Sequence, residues 1–187
     1  MEFGIEFDQS IAITVGRLDR NKNIDKCIRA VSDIKEVVLL ICGDGIEKES
    51  LEELSKHLNV SNRVIFAGNR SDVIDLYQSA DVFVLLSKRE GLSRSIMEAM
   101  ASGLPCIVSK IRGNTDLIPE GIGGYLVNPL DNIDTSKAIR RLIENENLCR
   151  KFAQVNQEVI KPFDIHSVVE KLTNIYTIEI QKFNKRF

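Results

Sequence analysis

Apolar residues fall along this chain in short unbroken runs, separated by longer stretches in which they recur every three or four positions. The runs are Ile11 to Gly16 (IAITVG), Val37 to Cys42 (VVLLIC), Arg63 to Ala67 (RVIFA), Val82 to Leu86 (VFVLL), Cys106 to Ser109 (CIVS) and Gly124 to Val127 (GYLV). Consecutive apolar positions over such lengths predict strands covered on both faces, hence a mostly parallel sheet of about six strands. Helical spacing fills the stretches between, at Ile24 to Ser32, Lys48 to Leu58, Ser71 to Ser79, Ser95 to Ser102 and Thr115 to Ile118. Beyond Pro129 the spacing predicts helices near Asn132 to Glu144, Glu146 to Glu158 and Ile165 to Phe183. Alternating strands and helices joined by right-handed crossovers make an α/β fold, a Rossmann-like doubly wound sheet with C-terminal helices. The 187 residues read as a single domain: 1–10 an N-terminal extension, 11–129 the α/β core, 130–187 the C-terminal helices.

Ligands of such sheets gather at the carboxyl ends of the strands, and the candidate chemistry falls there. The densest stretch is REGLSRSIMEAMASGLPCIVSKIRG, Arg89 to Gly113, read as loop, helix and strand after the run Val82 to Leu86. The N-terminus of that helix, capped by Ser93 or Ser95, offers unpaired N–H groups and the positive end of the helix dipole to an anion such as a phosphate. Glu90 and Glu98 flank this seat with seven residues between them. Carboxylates only accept hydrogen bonds, so two of them beside an anion seat suit a ligand bringing hydroxyls as well as phosphates, as a nucleotide sugar does. The stretch VGRLDRNKN ends the first strand at Gly16 and places the cations Arg17 and Lys22 on the next loop. The GDG of ICGDGIEKESLEEL is a turn; one GxG after a second strand is no dinucleotide fingerprint. In VIFAGNRSDVIDLYQSADVFVLLS, the residues Gly68, Asn69 and Arg70 form a further loop on this side, and Ser71 is expected to cap the helix that follows, with Asp72 in its first turn.

Charge and composition narrow the possibilities. A net charge of −2, from 25 basic and 27 acidic residues spread along the chain, gives no basic stripe for nucleic acid. Cys27, Cys42, Cys106 and Cys149 lie far apart without a CxxC or Cys/His cluster and read as reduced core residues. The N-terminal MEFGIEFDQS has no basic segment leading into an apolar core, and no run reaches the ~18 apolar residues of a membrane span, so a cytoplasmic location is expected. His57 and His166 fall outside the motifs and are expected at the surface.

The spacing of Glu90 and Glu98, followed by AMASGLP and IRGNTDLI, resembles the donor-binding half of retaining family 4 glycosyltransferases, which have the two-domain GT-B fold. The resemblance covers Ile11 to about Tyr176 and implies a metal-independent, hexosyltransferase-like enzyme without a cofactor. Its donor would be a nucleoside-diphosphate sugar, of UDP type, used in bacterial exopolysaccharide, capsule or lipopolysaccharide synthesis. By that resemblance Arg17 and Lys22 hold the diphosphate, Glu98 the ribose hydroxyls and Glu90 hydroxyls of the transferred sugar. Gly16, Gly91, Leu92 and Ser93 shape the phosphate end, and Gly68, Asn69 and Arg70 lie at the nucleobase, where Arg70 stacks, reaches a phosphate or is a surface charge. The chain departs from the family's commonest form at Ser93, Arg94 and Ser95, where a Gly and a bulky apolar residue are usual, and at Gly113, Asn114 and Asp116, where the usual stretch is glycine-rich and ends in Glu. The family builds its cleft from two Rossmann-like domains of about 170 to 200 residues each. These residues resemble only the second, and no Asp-x-Asp pair supports a single-domain, metal-dependent design. The expectation is a donor domain that binds without efficient turnover until an acceptor domain or separate chain joins it, any membrane association coming through that half. Two other readings stay open: a free-standing nucleotide-sugar binding module and a GT-B-type nucleotide-sugar epimerase.

Overall fold

A computed structural model describes residues 3–6 and 9–184. Strands β1 (Ser10–Val15), β2 (Val37–Cys42), β3 (Val64–Gly68), β4 (Val82–Leu85), β5 (Cys106–Ser109) and β6 (Gly124–Val127) form one parallel sheet in the order β3-β2-β1-β4-β5-β6. Between them run α1 (Ile24–Ser32), α2 (Lys48–His57), α3 (Val73–Gln78), α4 (Arg94–Ala101) and α5 (Asn114–Leu117), followed by α6 (Asn132–Ile143), α7 (Glu146–Ile160) and α8 (Ile165–Asn184).

The unbroken apolar runs divide between two cores because successive strand side chains point to opposite faces. Ala12, Leu39, Ile41, Val84 and Ile107 join α1 and α6 on one side, whereas Ile13, Leu40, Phe83, Leu85 and Val108 join α3 and α4 on the other. A polar residue at any of these positions would face a core, since neither side of the sheet is open to water. The end of α1 is closed from outside its own sequence. Arg63, just before β3, donates from Nη1 to the carbonyls of Val31, Ile34 and Val37, and from Nη2 to that of Ser32. Val31 and Ser32 lie in the last turn of α1, whose carbonyls have no intrahelical partner, and Ile34 and Val37 lie on the connection to β2 and at its start.

Two capping expectations change. At the N-terminus of α3 the capping position is held by Asp72, not Ser71, and neither this helix nor α4 has a side-chain cap bond. The Asp72 carboxylate accepts instead from Arg70, whose two hydrogen bonds at 2.8 and 2.6 Å outcompete a single backbone amide. Ser93 stands at the cap of α4, yet its hydroxyl meets that of Ser95 at 3.3 Å. All four cysteines are free thiols; burial pushes Cys27 up to about 12, so it stays protonated at neutral pH. His57 and His166 are exposed. The helix α8 is exposed along nearly its whole length, apolar positions such as Leu172, Ile175 and Tyr176 included. No helix among the described residues is long and apolar enough to cross a membrane.

Candidate functional site at the switch point of the sheet

In the strand order found here, the chain winds outward in opposite directions from β1 and β4, and the crevice between their carboxyl ends is where doubly wound sheets hold ligands. The two strands share only the register pairs Ala12↔Val82 and Ile13↔Phe83, so their ends are free to diverge. The loops that leave them are clasped together again. The amide of Lys88 donates to the carbonyl of Asn21 at 2.8 Å, Asn21 Nδ2 to the carbonyl of Arg89 at 3.0 Å, and buried Asn23 Nδ2 to the carbonyl of Leu86 at 2.9 Å. Asn23 does so from the left-handed region at φ 50°, which Asn tolerates better than most side chains.

That clasp sets Lys22 against Glu90. Lys22 Nζ donates to Glu90 Oε1 at 2.6 Å, with the side chains 18% and 11% exposed. A second brace comes from β5. Asn114 Nδ2 donates to the carbonyl and hydroxyl of Ser109 at 3.0 and 3.2 Å, and the Ser109 hydroxyl donates to the carbonyl of Ser87 at 2.6 Å. Beside it Gly113, at φ +92°, lies so close to the Glu90 loop that a Cβ would stand 2.1 Å from the carbonyl oxygen of Gly91. No side chain fits there without moving the loop.

A cavity of about 280 Å³ opens at this point, with Gly16, Arg17, Lys22 and Glu90 on its walls and Leu92, Ser93, Arg94, Ser95 and Glu98 along its far side. Three cations face two carboxylates, and the N-terminus of α4 opens onto the same space. A net positive, amide-rich pocket of this kind attracts a polyanion. Val15, Gly16 and Arg17 also line a neighbouring slot of about 310 Å³, closed by Cys42, Gly43, Asp44, Asn69, Arg70 and Val73. Its floor is backbone packed on backbone. The amide of Gly43 donates to the carbonyl of Gly68 at 2.7 Å, and a Cβ on Gly43, at φ +141°, would lie 1.9 Å from the carbonyl oxygen of Gly16.

Of the residues singled out in the sequence, the first cavity therefore gathers Gly16, Arg17, Lys22, Glu90, Leu92, Ser93 and Glu98, and the slot adds Asn69 and Arg70. Gly68 and Gly91 line neither cavity and instead meet neighbouring loops through their carbonyls. Asp116 is exposed and lines neither. Arg70 is held by Asp72 and stands over the Phe3 ring at 5.6 Å, so its guanidinium is fixed at the rim. Glu98 is 31% exposed, and its Oε1 accepts from Arg94 Nη2 at 3.3 Å. The sequence reading missed Asn21, Asn23 and Tyr77. The asparagines lie inside the quoted VGRLDRNKN motif and could have been found as turn formers flanking Lys22.

Comparison with known proteins agrees with this fold. The family model for glycosyl transferases group 1 matches residues 2–159. A putative glycosyltransferase EpsD of Bacillus subtilis is 32% identical over 93% of this chain and 47% of its own length. The Escherichia coli UDP-Gal:alpha-D-GlcNAc-diphosphoundecaprenol alpha-1,3-galactosyltransferase is 31% identical over 92% of this chain and 46% of its own. A crystal structure of an S. aureus TarM mutant in complex with fondaparinux, alpha-GlcNAc-glycerol and UDP is 25% identical, with a TM-score of 0.83 over 90% of this chain and 36% of that one. The chain spans about half the length of the curated relatives it matches.

Proposed function

The chain belongs to the glycosyl transferases group 1 family, and on that premise we propose that it binds the nucleoside-diphosphate sugar of a retaining, metal-independent glycosyl transfer. The observation that carries this reading is the convergence of Arg17, Lys22, Glu90, Glu98 and the α4 N-terminus on one cavity at the switch point. The diphosphate lies at the α4 amides between Arg17 and Lys22. The ribose hydroxyls donate to Glu98, the transferred sugar donates to Glu90, and the base enters the slot beside Asn69 and Arg70. A UDP-type donor is favoured by the UDP bound in the TarM complex and by the UDP-Gal-dependent relative. Synthesis of a bacterial surface glycan is favoured by the latter's lipid-linked acceptor.

Chemically, the bond between the anomeric carbon and the β-phosphate oxygen breaks and its electron pair stays on the diphosphate. A new bond forms from an acceptor hydroxyl oxygen to the anomeric carbon on the face the diphosphate leaves, and the hydroxyl proton passes to the departing β-phosphate oxygen. Charge builds on the leaving oxygen, and fixed cations and amides placed there stabilise it most in the transition state. Lys22, already oriented by Glu90, needs little reorganisation to meet it. The acceptor is bound, and water excluded, by structure outside the cavity described: Leu92 and Arg94 on its rim are 55% and 87% exposed, the arginine by its side chain. These residues by themselves therefore bind donor and transfer little.

Calorimetry with UDP, GDP and ADP in chelator tests the reading. Binding without Mg²⁺ or Mn²⁺ is expected at about 10 to 1000 μM, since one side of the cleft is open. An absolute metal requirement would refute metal independence, and no binding of any of the three would refute the donor site.

A further inference from the structure

A buried hydroxyl that the mechanism above does not use lies next to Glu98. Tyr77, on α3 beneath the floor of the site, is wholly buried, its ring packed edge-on against Phe83 at 5.9 Å. Burying a hydroxyl costs free energy unless it finds a partner, and a phenylalanine would fill this space without that cost. The hydroxyl has one proton to donate and two acceptors within reach. It stands 3.3 Å from the carbonyl of Ser95, in the first turn of α4, and 3.5 Å from Glu98 Oε2. Burial, followed by the facing Glu98 carboxylate, raises the phenol far above its ordinary range, so it remains a donor throughout the working pH range. The other donor to Glu98, Arg94, carries an 87% exposed side chain on the outer surface. The inner oxygen of the carboxylate thus faces a buried hydroxyl that it shares with the Ser95 carbonyl, and the outer one faces a solvent-exposed cation.

We propose that Tyr77 is a positioning residue for ribose recognition: its hydroxyl holds Glu98 Oε2 from beneath, orienting the carboxylate so that its remaining lone pairs face the ribose hydroxyls of the donor. The inference rests on the reading of Glu98 given above and adds a selectivity device to it. A carboxylate with no inner donor samples several rotamers, and each hydroxyl bond then carries the entropy of fixing it. With Tyr77 in place that ordering precedes binding.

The experiment is calorimetry on the full chain with the tightest of UDP, GDP and ADP and with its 2′,3′-dideoxy form. Tyr77→Phe should bind the ribose form about three- to tenfold more weakly and the dideoxy form unchanged, with a melting temperature close to wild type. A purely structural role would weaken both ligands alike, and that outcome, like full affinity for both, overturns the proposal. Should the phenylalanine variant not fold, 3-fluorotyrosine at position 77 keeps the hydroxyl and strengthens it as a donor. Discrimination between the two ligands must then hold or widen, and a loss overturns the proposal. Glu98→Ala separates the two levels. If it abolishes discrimination while Tyr77→Phe does not, only the positioning role falls; if it leaves discrimination intact, the assignment of Glu98 to ribose falls and the proposal with it.

Discussion

The loop that carries Glu90 and the helix that carries Glu98 belong to one motif, yet they treat their carboxylates differently. Glu90 is 11% exposed and locked on Lys22 by an ion pair that crosses from β4 to β1. Its loop is braced from below by Gly113 and the chain of bonds from Asn114 through Ser109 to Ser87. Glu98 sits on regular helix, 31% exposed, between an arginine of its own turn and a tyrosine from α3. The loop carboxylate is immobilised by tertiary contacts, whereas the helix carboxylate gets its place from local backbone and needs only orientation. Residue type is the same in both; the donors that surround each decide what it can do for a ligand.

The sharpest way to break this contrast is to remove the cation on the loop side. With an acceptor-binding half present, Lys22→Ala should lower kcat by about 100-fold or more and raise KM less, because the charge is needed most as the diphosphate leaves. Steady-state kinetics showing a change in KM alone would assign Lys22 to ground-state binding. Next in size, Glu98→Ala should weaken nucleoside diphosphate and nucleotide sugar alike by about 1 to 3 kcal/mol, while Glu90→Ala should weaken only the sugar form. Titration of both ligands into both variants reads this directly, and equal losses throughout would erase the division of roles.

Smaller effects lie at the rim. Arg94→Ala removes an exposed helix-surface ion pair and should cost the fold no more than about 0.5 kcal/mol by denaturant titration. A larger loss would show that Glu98 depends on its own turn more than on α3. The smallest concerns Arg70 and Asp72, beside the slot. The hydrogen bonds from Arg70 hold the Asp72 carboxyl below its ordinary 3.8. A carboxyl whose pKa is depressed on folding contributes stability that is in place above the unfolded value and lost as pH falls through the folded one. The difference in Tm between wild type and Asp72→Asn should therefore stay constant above about pH 4 and shrink below it. A difference independent of pH would mean that the pair does not act through charge.

Much of this was legible in the residues. The six apolar runs gave the strands because a sheet covered on both faces must be apolar at consecutive positions, and period-two alternation then divided each run between two cores. The order of Arg17, Lys22, Glu90 and Glu98 along the chain named the candidates, because strand-loop-helix junctions are local events that local sequence encodes. Three-dimensional packing decided the rest. Lys22 and Glu90 are 68 positions apart, and only the switch point between β1 and β4 with the asparagine clasp brings them to contact. The capping of α3 and α4 followed competition among side chains: Asp72 preferred a bidentate arginine, and Ser93 turned to Ser95. Tyr77 gave no signal at all, because an aromatic in an amphipathic helix reads as core until the fold shows what its hydroxyl reaches. Sequence determines periodicity and local backbone preference residue by residue; which polar atoms meet depends on how distant elements pack, and for this chain that packing sets the charge and shape of the site.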